Sequence, residues 1–320
     1  MTGATSPRPA RQPRRTARAA RPPGDAARRR ILLTGADSLV GARVLRGLLE
    51  ASMEVVALAA SRTDEDIPPG VIRVVANRTG NQWNDWAAGC SAAVHVGPGL
   101  GERPADDGGC FGVGPEDTNA LLAACQRHGI PRVVLVSCLG ASPAAGSARQ
   151  RAAGAAEETL RAAAPTLTVL RPAWLAAPGP SLVARVLHAV RAGRLVALYG
   201  GGAFPLQTIA ADDVAGAVVR CLHDDSTCGR VFELAAGDPI PFVELLRRLA
   251  AAAQQRLRTL AIPRRLALPL ASLLRRRPDT FMTPDEILAL WAGSTGDAAA
   301  ARNEFGPLSA GLEPLPDAAA

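Results

Sequence analysis

The stretch Ile31-Leu-Leu-Thr-Gly-Ala-Asp-Ser-Leu-Val-Gly41 decides the fold. An apolar run at residues 31–33 stops at Thr34-Gly35, and a helical apolar pattern begins at Leu39. This order predicts a buried strand, a glycine turn and a helix. Such a turn directs backbone N–H groups and a helix N-terminus at the space above the strand, which suits pyrophosphate. The residues expected to contact a dinucleotide there are Gly35, Ala36, Ser38, Leu39, Val40 and Gly41.

Strands and helices alternate after this turn. Apolar runs lie near residues 55–60, 71–76, 92–96, 132–137 and 166–170, with helical patterns at about 115–128 and 148–163. Buried strands that alternate with helices predict an α/β fold, a doubly wound parallel sheet with helices on both faces. Ligands of such sheets bind at the carboxyl ends of the strands. Five strand-end residues would share that edge: Gly35, Arg62, Gly97, Ser137 and Pro172.

The chain divides into three regions by composition. Residues 1–28 are rich in Arg, Pro and Ala, which predicts a disordered tail. Residues 29–236 form the predicted dinucleotide-binding domain, with residues 176–204 contributing to a lobe. Residues 237–320 form a smaller, mostly helical C-terminal lobe.

The basic charge belongs to the tail and not to a folded face. The chain has no Lys, so all 36 basic residues are Arg, and nine of them lie in residues 1–30 with one acid. The rest is near neutral, with 27 Arg against 28 acids. Together with an aromatic content of 3%, this indicates no specific nucleic-acid partner.

No apolar run is long enough for a transmembrane helix. The Arg run at 275–277 beside the apolar stretch 266–274 allows a peripheral membrane contact, although a core helix with a solvated basic end is the preferred interpretation. The six Cys form no Cys-x-x-Cys pair and no metal cluster with His. We therefore expect no metal site and a cytoplasmic protein with reduced thiols.

The motifs, taken in order, resemble those of extended short-chain dehydrogenases. The turn Thr34-Gly35-x-x-Ser38-x-x-Gly41 is similar to the family's Thr-Gly-x-x-Gly-x-x-Gly. Later stretches follow in the family's order: Val133-Val134-Leu135-Val136-Ser137, Glu157-Glu158-x-Leu160, Thr168-Val169-Leu170-Arg171-Pro172, Ala211-Asp212-Asp213-Val214-Ala215 and Val231-Phe232-Glu233-Leu234. The resemblance covers about residues 30–314. It is strongest to atypical members of this NAD(P)-dependent epimerase/dehydratase-like superfamily, namely the Rossmann-type accessory subunit of complex I and the regulators related to the nitrogen metabolite repression protein.

This resemblance implies a Rossmann-type fold and an NAD(P) cofactor. Ser38 replaces the middle glycine, and its hydroxyl could bind a phosphate or cap the helix. No acid occurs at residues 57–62 to accept from a ribose 2′-OH, and Arg62 suits a 2′-phosphate, so NADP(H) is favoured over NAD(H). Asn77 stands where the family contacts the adenine, and Val96-Gly97 would pass beneath the cofactor. His95 is interpreted as a core histidine.

The resemblance also raises a catalytic question. The family uses a Tyr as acid/base with a Lys four residues later, and these positions fall near Arg149 and Ala153. A chain without Lys has no such pair, and Arg does not replace it because it does not lose its proton. Ser137 fits the family's active-site serine. Three hypotheses follow: an oxidoreductase or isomerase acting on an unknown small molecule, a non-catalytic NADP(H)-binding module within a protein complex, and a scaffold without cofactor.

Overall fold

The computed structural model describes residues 29–59, 71–75, 86–97, 114–164, 166–179, 181–274, 281–292 and 294–312. Its centre is a seven-stranded parallel sheet. The strands are β1 (Arg30–Thr34), β2 (Glu54–Ala59), β3 (Val71–Val75), β4 (Ala92–Val96), β5 (Arg132–Val136), β6 (Leu167–Pro172) and β10 (Val231–Leu234), in the order β10-β6-β5-β4-β1-β2-β3. This sheet confirms the predicted fold class, and each predicted strand is present within two residues.

Four helices cover the sheet: α1 (Leu39–Glu50), α2 (Pro115–His128), α3 (Ala148–Ala163) and α5 (Ala211–His223). The strand order reverses between β1 and β4, and right-handed crossovers therefore place α1 and α2 on opposite faces. α1 packs on α5 and α2 packs on α3. Strands β4 and β5 are buried along their whole length, as expected for apolar strands covered on both faces.

The chain beyond Pro172 forms two further small sheets. One has the order β11-β9-β7, from β7 (Trp174–Ala176), β9 (Pro205–Ala210) and β11 (Ala236–Pro241). The other pairs β8 (Leu195–Tyr199) with β12 (Arg258–Ile262) in parallel. The helices of this part are α4 (Leu182–Arg191), α6 (Phe242–Ala252), α7 (Arg264–Leu274), α8 (Pro284–Trp291) and α9 (Ala299–Phe305).

Helix α8 fastens the C-terminal segment to the central domain. Thr283 and Glu286 form a capping box at its start. Asp285, in the first turn, accepts hydrogen bonds from the Ser147 hydroxyl at 3.0 Å and from the Ala148 backbone N–H at 2.5 Å. Because Ala148 is the first residue of α3, the C-terminal segment caps a helix of the central domain. The division into domains proposed from composition stays a prediction.

Within the described ranges, no helix is both long and apolar enough to cross a membrane.

Candidate functional site

Two glycines shape the turn between β1 and α1. Gly35 has φ +70°, a left-handed conformation that glycine adopts without strain. Gly41 lies in the first turn of α1, where an added Cβ would stand 1.8 Å from the carbonyl oxygen of Gly35. The helix therefore packs directly on the turn, and only glycine fits at position 41 without a shift of the backbone.

Ser38 occupies the middle position of the turn and is the N-cap of α1. Its buried hydroxyl oxygen accepts a hydrogen bond from the Gly41 N–H at 2.9 Å. This bond satisfies one of the backbone donors that have no acceptor within the helix. The hydroxyl thus has the capping role expected from the sequence, and its contact with a phosphate stays a prediction.

The remaining turn fits an anionic group. The first turn of the 12-residue helix α1 contains no acid, and the side chains of Leu39 and Val40 are buried, so this helix start presents its backbone. The one acid of the preceding turn is the partly buried Asp37, next to the N-cap. The Ala36 N–H donates to the Leu58 carbonyl at 3.2 Å, which fixes the turn against the end of β2. Helix N-termini with free N–H groups and little side-chain bulk bind phosphates. The turn between β1 and α1 is therefore compatible with the pyrophosphate of a dinucleotide.

The structure brings four of the predicted site residues to one edge of the sheet. β1, β4, β5 and β6 are consecutive neighbours, and Gly35, Gly97, Ser137 and Pro172 lie at or just beyond their carboxyl ends. With strands about 4.8 Å apart, these four residues form a row that spans roughly 15 Å. Val96 is fully buried in β4 beneath the row. The strand order reverses between β1 and β4, where open α/β sheets form their ligand crevice.

The buried side chain of His95, on β4, contacts β1 and α2 at the point where the strand order reverses. The Nδ1 atom of His95 lies 2.6 Å from the Thr34 hydroxyl, and its Nε2 atom lies 3.2 Å from the Thr118 hydroxyl on α2. Burial lowers the pKa of His95 to about 4. The imidazole is therefore neutral near pH 7 and joins β1, β4 and α2, as expected for a core histidine.

Ser137 is held by a buried carboxylate. Its hydroxyl donates to Oε1 of Glu157 on α3 at 2.6 Å. The Arg171 guanidinium binds the same carboxylate by two bonds, Nε to Oε1 at 2.9 Å and Nη2 to Oε2 at 2.7 Å. The two parallel N–H···O bonds form the bidentate geometry that strengthens an Arg–carboxylate pair. The pKa of Arg171 is raised, chiefly by its hydrogen bond to Glu157.

A second carboxylate extends this group toward the C-terminal segment. Glu233 at the end of β10 lies 3.8 Å from Nη1 of Arg171. The other oxygen of Glu233 accepts the Asp297 backbone N–H at 2.8 Å. The network therefore joins α3, β6, β10 and the segment before α9, and its members hold the sheet edge together.

The positions of the family's Tyr and Lys lie on the same side of α3 as Glu157. Arg149, Ala153 and Glu157 are spaced by four residues, which places them on one helix face. Ala153 is buried and offers no polar atom, and Arg149 is partly buried. The described part of the chain thus provides neither a phenol nor an amine at this face.

Cys138, next to Ser137, is not a substitute nucleophile. Its thiol is buried, and burial raises its pKa to about 12. A thiol with this pKa is protonated near neutral pH and is inert compared with an activated cysteine.

Pro172 closes β6 and marks the passage to the lobe. Its carbonyl accepts the Leu139 N–H at 3.0 Å, so the chain after Ser137 continues in parallel beside the end of β6. The following residues, Trp174 to Ala176, form β7 and lead into the second sheet. Pro172 therefore lies between the carboxyl end of β6 and the strand β7 of the second sheet.

Two predicted contacts, Arg62 and Asn77, lie outside the described residues. Conversely, the sequence analysis missed the roles of Glu157, Arg171 and Asp285. The signal for the first two was present, because Glu157-Glu158 and Arg171-Pro172 are among the motifs that carry the resemblance. In the described ranges, no group of three or more His, Cys, Asp or Glu side chains could hold a metal ion.

Comparison with known proteins identifies the chain. A family model described as "NAD(P)H-binding" matches residues 35–225, from the glycine turn to the end of α5. The chain belongs to the NAD(P)H-binding family.

Two curated proteins are similar in sequence. One is the "NADH dehydrogenase [ubiquinone] 1 alpha subcomplex subunit 9, mitochondrial" of Arabidopsis thaliana, 37% identical over 125 residues, which is 39% of this chain and 31% of that protein. The chain therefore matches about a third of that relative's length. The other is the "2-alkyl-3-oxoalkanoate reductase" of Stenotrophomonas maltophilia, 29% identical over 255 residues, which is 70% of this chain and 75% of that protein.

Solved structures share the NAD(P)H-binding fold. An NADPH-dependent quinone oxidoreductase of Escherichia coli, in complex with NADPH, superposes with a TM-score of 0.68 at 17% identity, over 87% of this chain and 96% of that one. A UDP-glucose 4-epimerase of Thermotoga maritima, with UDP-glucose, superposes with a TM-score of 0.66 at 16% identity, over 89% and 96%. At these identities the likeness concerns the fold.

Proposed function

We propose that this protein holds NADP(H), in preference to NAD(H), at the turn between β1 and α1, in a cleft whose side chains, among the described residues, supply no general acid or base. The cofactor contacts would come from Gly35, Ala36, Ser38, Leu39, Val40 and Gly41, with Arg62, Asn77, Val96, Gly97 and Pro172 around the remaining parts. When bound, the nicotinamide ring supplies or accepts a hydride.

The part of the proposal that concerns the missing acid or base rests on the hydrogen bond between Ser137 and Glu157. The only proton of the Ser137 hydroxyl points at a carboxylate oxygen 2.6 Å away, and Arg171 binds the same carboxylate by two hydrogen bonds. Ser137 therefore keeps lone pairs for a substrate and has no proton to donate to a carbonyl. Since Ala153 replaces the family's Lys, the cations near this face are the guanidinium groups of Arg149 and Arg171, which do not give up a proton.

Two roles remain open under this proposal. In the first, the protein is an oxidoreductase or isomerase that takes protons from solvent, and the similar 2-alkyl-3-oxoalkanoate reductase supports a 3-oxo acid as a substrate class. In the second, the protein is a structural or redox-sensing module in a complex, which the similar complex I subunit supports. We favour the second, because of the closed network around Ser137, and place the protein in the cytoplasm.

Cofactor binding is tested by thermal unfolding of the full chain with NADPH, NADP, NADH and NAD. We expect NADPH and NADP to raise the melting temperature more than their counterparts, since a ligand that binds the folded state stabilises it. A larger shift with NADH than with NADPH would contradict the preference, and no shift with any dinucleotide would leave the scaffold hypothesis.

Arg62 is tested by Arg62→Ser, with Arg46→Ser on the exposed side of α1 as the matched control. We expect Arg62→Ser to weaken NADPH binding about tenfold or more while NADH binding stays within about twofold, because only NADPH carries the 2′-phosphate. Equal losses for both dinucleotides in calorimetry would show that Arg62 does not read the 2′-phosphate.

The middle position of the turn is tested by Ser38→Gly and Ser38→Ala. If the hydroxyl donates to a phosphate, both variants bind NADPH more weakly than the wild type. If the side chain only narrows the turn, Ser38→Gly binds more tightly. Both variants lose the cap, so each melting temperature is first measured without ligand.

The two roles are separated by turnover. The full chain is incubated with NADPH and either a 2-alkyl-3-oxoalkanoate or a soluble quinone, and NADPH oxidation is followed by absorbance. We expect no turnover above the rate without protein. Steady turnover that falls with Ser137→Ala at unchanged KM would establish the oxidoreductase role and assign Ser137 as catalytic.

A further inference from the structure

A face of the C-terminal segment exposes leucines among arginines. We call it the basic leucine face and define it by residues of β8, β12 and α7: Leu195, Arg258, Leu260, Arg265, Leu266 and Leu273. Its four leucines are 55%, 49%, 52% and 78% exposed. Among the described residues, the only other exposed large apolar side chain is Val231, at 39%. The exposed leucines of this protein are therefore concentrated in one part of the chain.

The register of the small sheet explains the exposure of its two leucines. Leu195 pairs with Arg258, and Ala197 pairs with Leu260. Paired residues of parallel strands point to the same side, so Leu195, Arg258 and Leu260 share one side of this sheet. The opposite side carries Val196 and Leu198, which are buried. The leucine side is thus the outer side, with an arginine in its row.

Helix α7 begins two residues after β12 and continues the same pattern. Its buried residues are Ala267 and Ala271, which are small. Leu266 and Leu273 are seven residues apart, so they lie on one side of the helix, turned away from the two alanines. Arg265 is exposed at the start of the helix. The helix therefore packs through Ala267, Ala271 and the partly buried Leu268 and Leu270, and it keeps Leu266 and Leu273 outside.

The charge of this part of the chain is one-sided. Residues 256–274 contain four Arg and no acid, whereas the rest of residues 31–320 contains 23 Arg and 28 acids. All four, at positions 256, 258, 264 and 265, are exposed residues of α7, β12 and the segment before β12. The Arg264 guanidinium also lies 4.6 Å above the Trp291 ring, at the end of α8. Four exposed arginines thus lie in the same segment as Leu260, Leu266 and Leu273.

We propose that the basic leucine face docks on an anionic lipid surface. The leucines would enter the boundary between headgroups and acyl chains, and the arginines would pair with lipid phosphates. This combination of exposed apolar side chains with cations and no acid is the pattern of interfacial membrane elements. Nucleic acid would use the arginines and leave the leucines in water, and this part of the chain offers no exposed aromatic ring for stacking with bases.

The test is binding of the full chain to vesicles of equal parts phosphatidylglycerol and phosphatidylcholine, measured by co-sedimentation at low and high salt. We expect Leu266→Gln with Leu273→Gln to weaken partitioning about tenfold or more, because two apolar anchors are lost. We expect Arg258→Gln with Arg265→Gln to weaken it by about fivefold for each charge removed. These positions are exposed, so the variants should fold, which circular dichroism verifies.

Two control variants isolate the face from other contributions. Arg46→Gln with Arg127→Gln removes the same charge from exposed positions on α1 and α2, and Val231→Gln removes the exposed apolar side chain of β10. We expect both controls to bind within about twofold of the wild type. The Arg-rich residues 1–28 are present in every variant, so their contribution cancels in each comparison.

Three results would overturn the proposal. The first is equal loss in the Arg46/Arg127 control, which indicates binding by overall charge. The second is unchanged vesicle binding in the leucine variant. The third is self-association of the wild-type chain in sedimentation equilibrium, with a monomeric leucine variant and no vesicle binding by either protein. That result would make the basic leucine face an interface between copies of the chain.

Discussion

The Ser137 hydroxyl and the Glu157 carboxylate are 2.6 Å apart, within a group that also contains Arg171. This bond makes Ser137 a structural donor at the edge where a nicotinamide would lie. We predict that Ser137→Ala lowers the free energy of unfolding by about 1–3 kcal/mol, because a buried hydrogen bond to a charged group is lost. NADPH affinity should change less than twofold in calorimetry. A large loss of affinity with unchanged stability would place Ser137 on the cofactor instead.

Glu157→Gln should be more damaging. The amide keeps the shape of the side chain but removes the charge that faces the Arg171 guanidinium, and Glu157 is buried. We expect a loss of about 3 kcal/mol in urea unfolding, since one partner of a largely buried ion pair remains. Glu158→Gln, on the exposed side of α3, is the matched control and should cost less than about 0.5 kcal/mol. Equal effects of the two changes would show that the network of Ser137, Glu157 and Arg171 does not contribute to the free energy of unfolding.

Gly41 and Gly47 offer a matched pair on one helix. A Cβ at Gly41 would meet the Gly35 carbonyl oxygen at 1.8 Å, whereas a Cβ at Gly47 would find its nearest neighbour, a Val219 methyl, at 3.4 Å. We predict that Gly41→Ala moves α1 away from the turn and abolishes the stabilisation of the protein by NADPH. Gly47→Ala should retain it and raise stability by about 0.5–1 kcal/mol, because alanine favours helix. Full NADPH stabilisation of Gly41→Ala would contradict the assignment of the turn.

His95 predicts a pH dependence of stability. Its pKa is about 4 in the folded protein and about 6.5 when unfolded, so the unfolded state binds the extra proton between these values. The contribution of neutral His95 is complete above pH 6.5 and is lost as the pH falls toward 4. The loss amounts to about 3 kcal/mol. Urea unfolding at a series of pH values measures it.

The control for this dependence is a second histidine. His95→Gln should flatten the curve between pH 6.5 and 4, even if the variant is less stable throughout, because the slope reports the titrating group. His223→Gln changes an exposed histidine at the end of α5 and should leave the wild-type slope. An unchanged slope in His95→Gln would mean that other groups cause the acid sensitivity.

The central sheet could be predicted from sequence because its strands are buried on both faces. Such strands are continuous apolar runs, and four of them, β1, β4, β5 and β6, end at a glycine, serine or proline that marks the carboxyl edge. The row of Gly35, Gly97, Ser137 and Pro172 follows from this regularity alone. The helices α2 and α3 carry their own end signals and were predicted with the bounds that the structure shows.

The second part of the chain resisted prediction for a physical reason. β8 follows a glycine and precedes three more, and only three of its five side chains are buried. β12 is exposed over four of its five residues, so it has no apolar pattern. Such strands form through pairing with each other, which a local pattern does not record.

Only the glycine turn, the backbone part of the site, could be predicted from the sequence. The glycine turn needs residues that local geometry selects, so its motif is visible in the sequence. The network of Glu157, Arg171 and Glu233 depends on three elements meeting in space. The motifs of the resemblance include Glu157 and Arg171, but only the fold shows that these charged residues pair with each other rather than with solvent.

The cap that Asp285 provides to α3 has a consequence for the newly made chain. The two partners, Ala148 and Asp285, are 137 residues apart. At ribosomal speeds of about 5–20 residues per second, α3 emerges roughly 7–27 s before the residue that caps it. During that interval the start of α3, next to the strand edge, has no acceptor from this source.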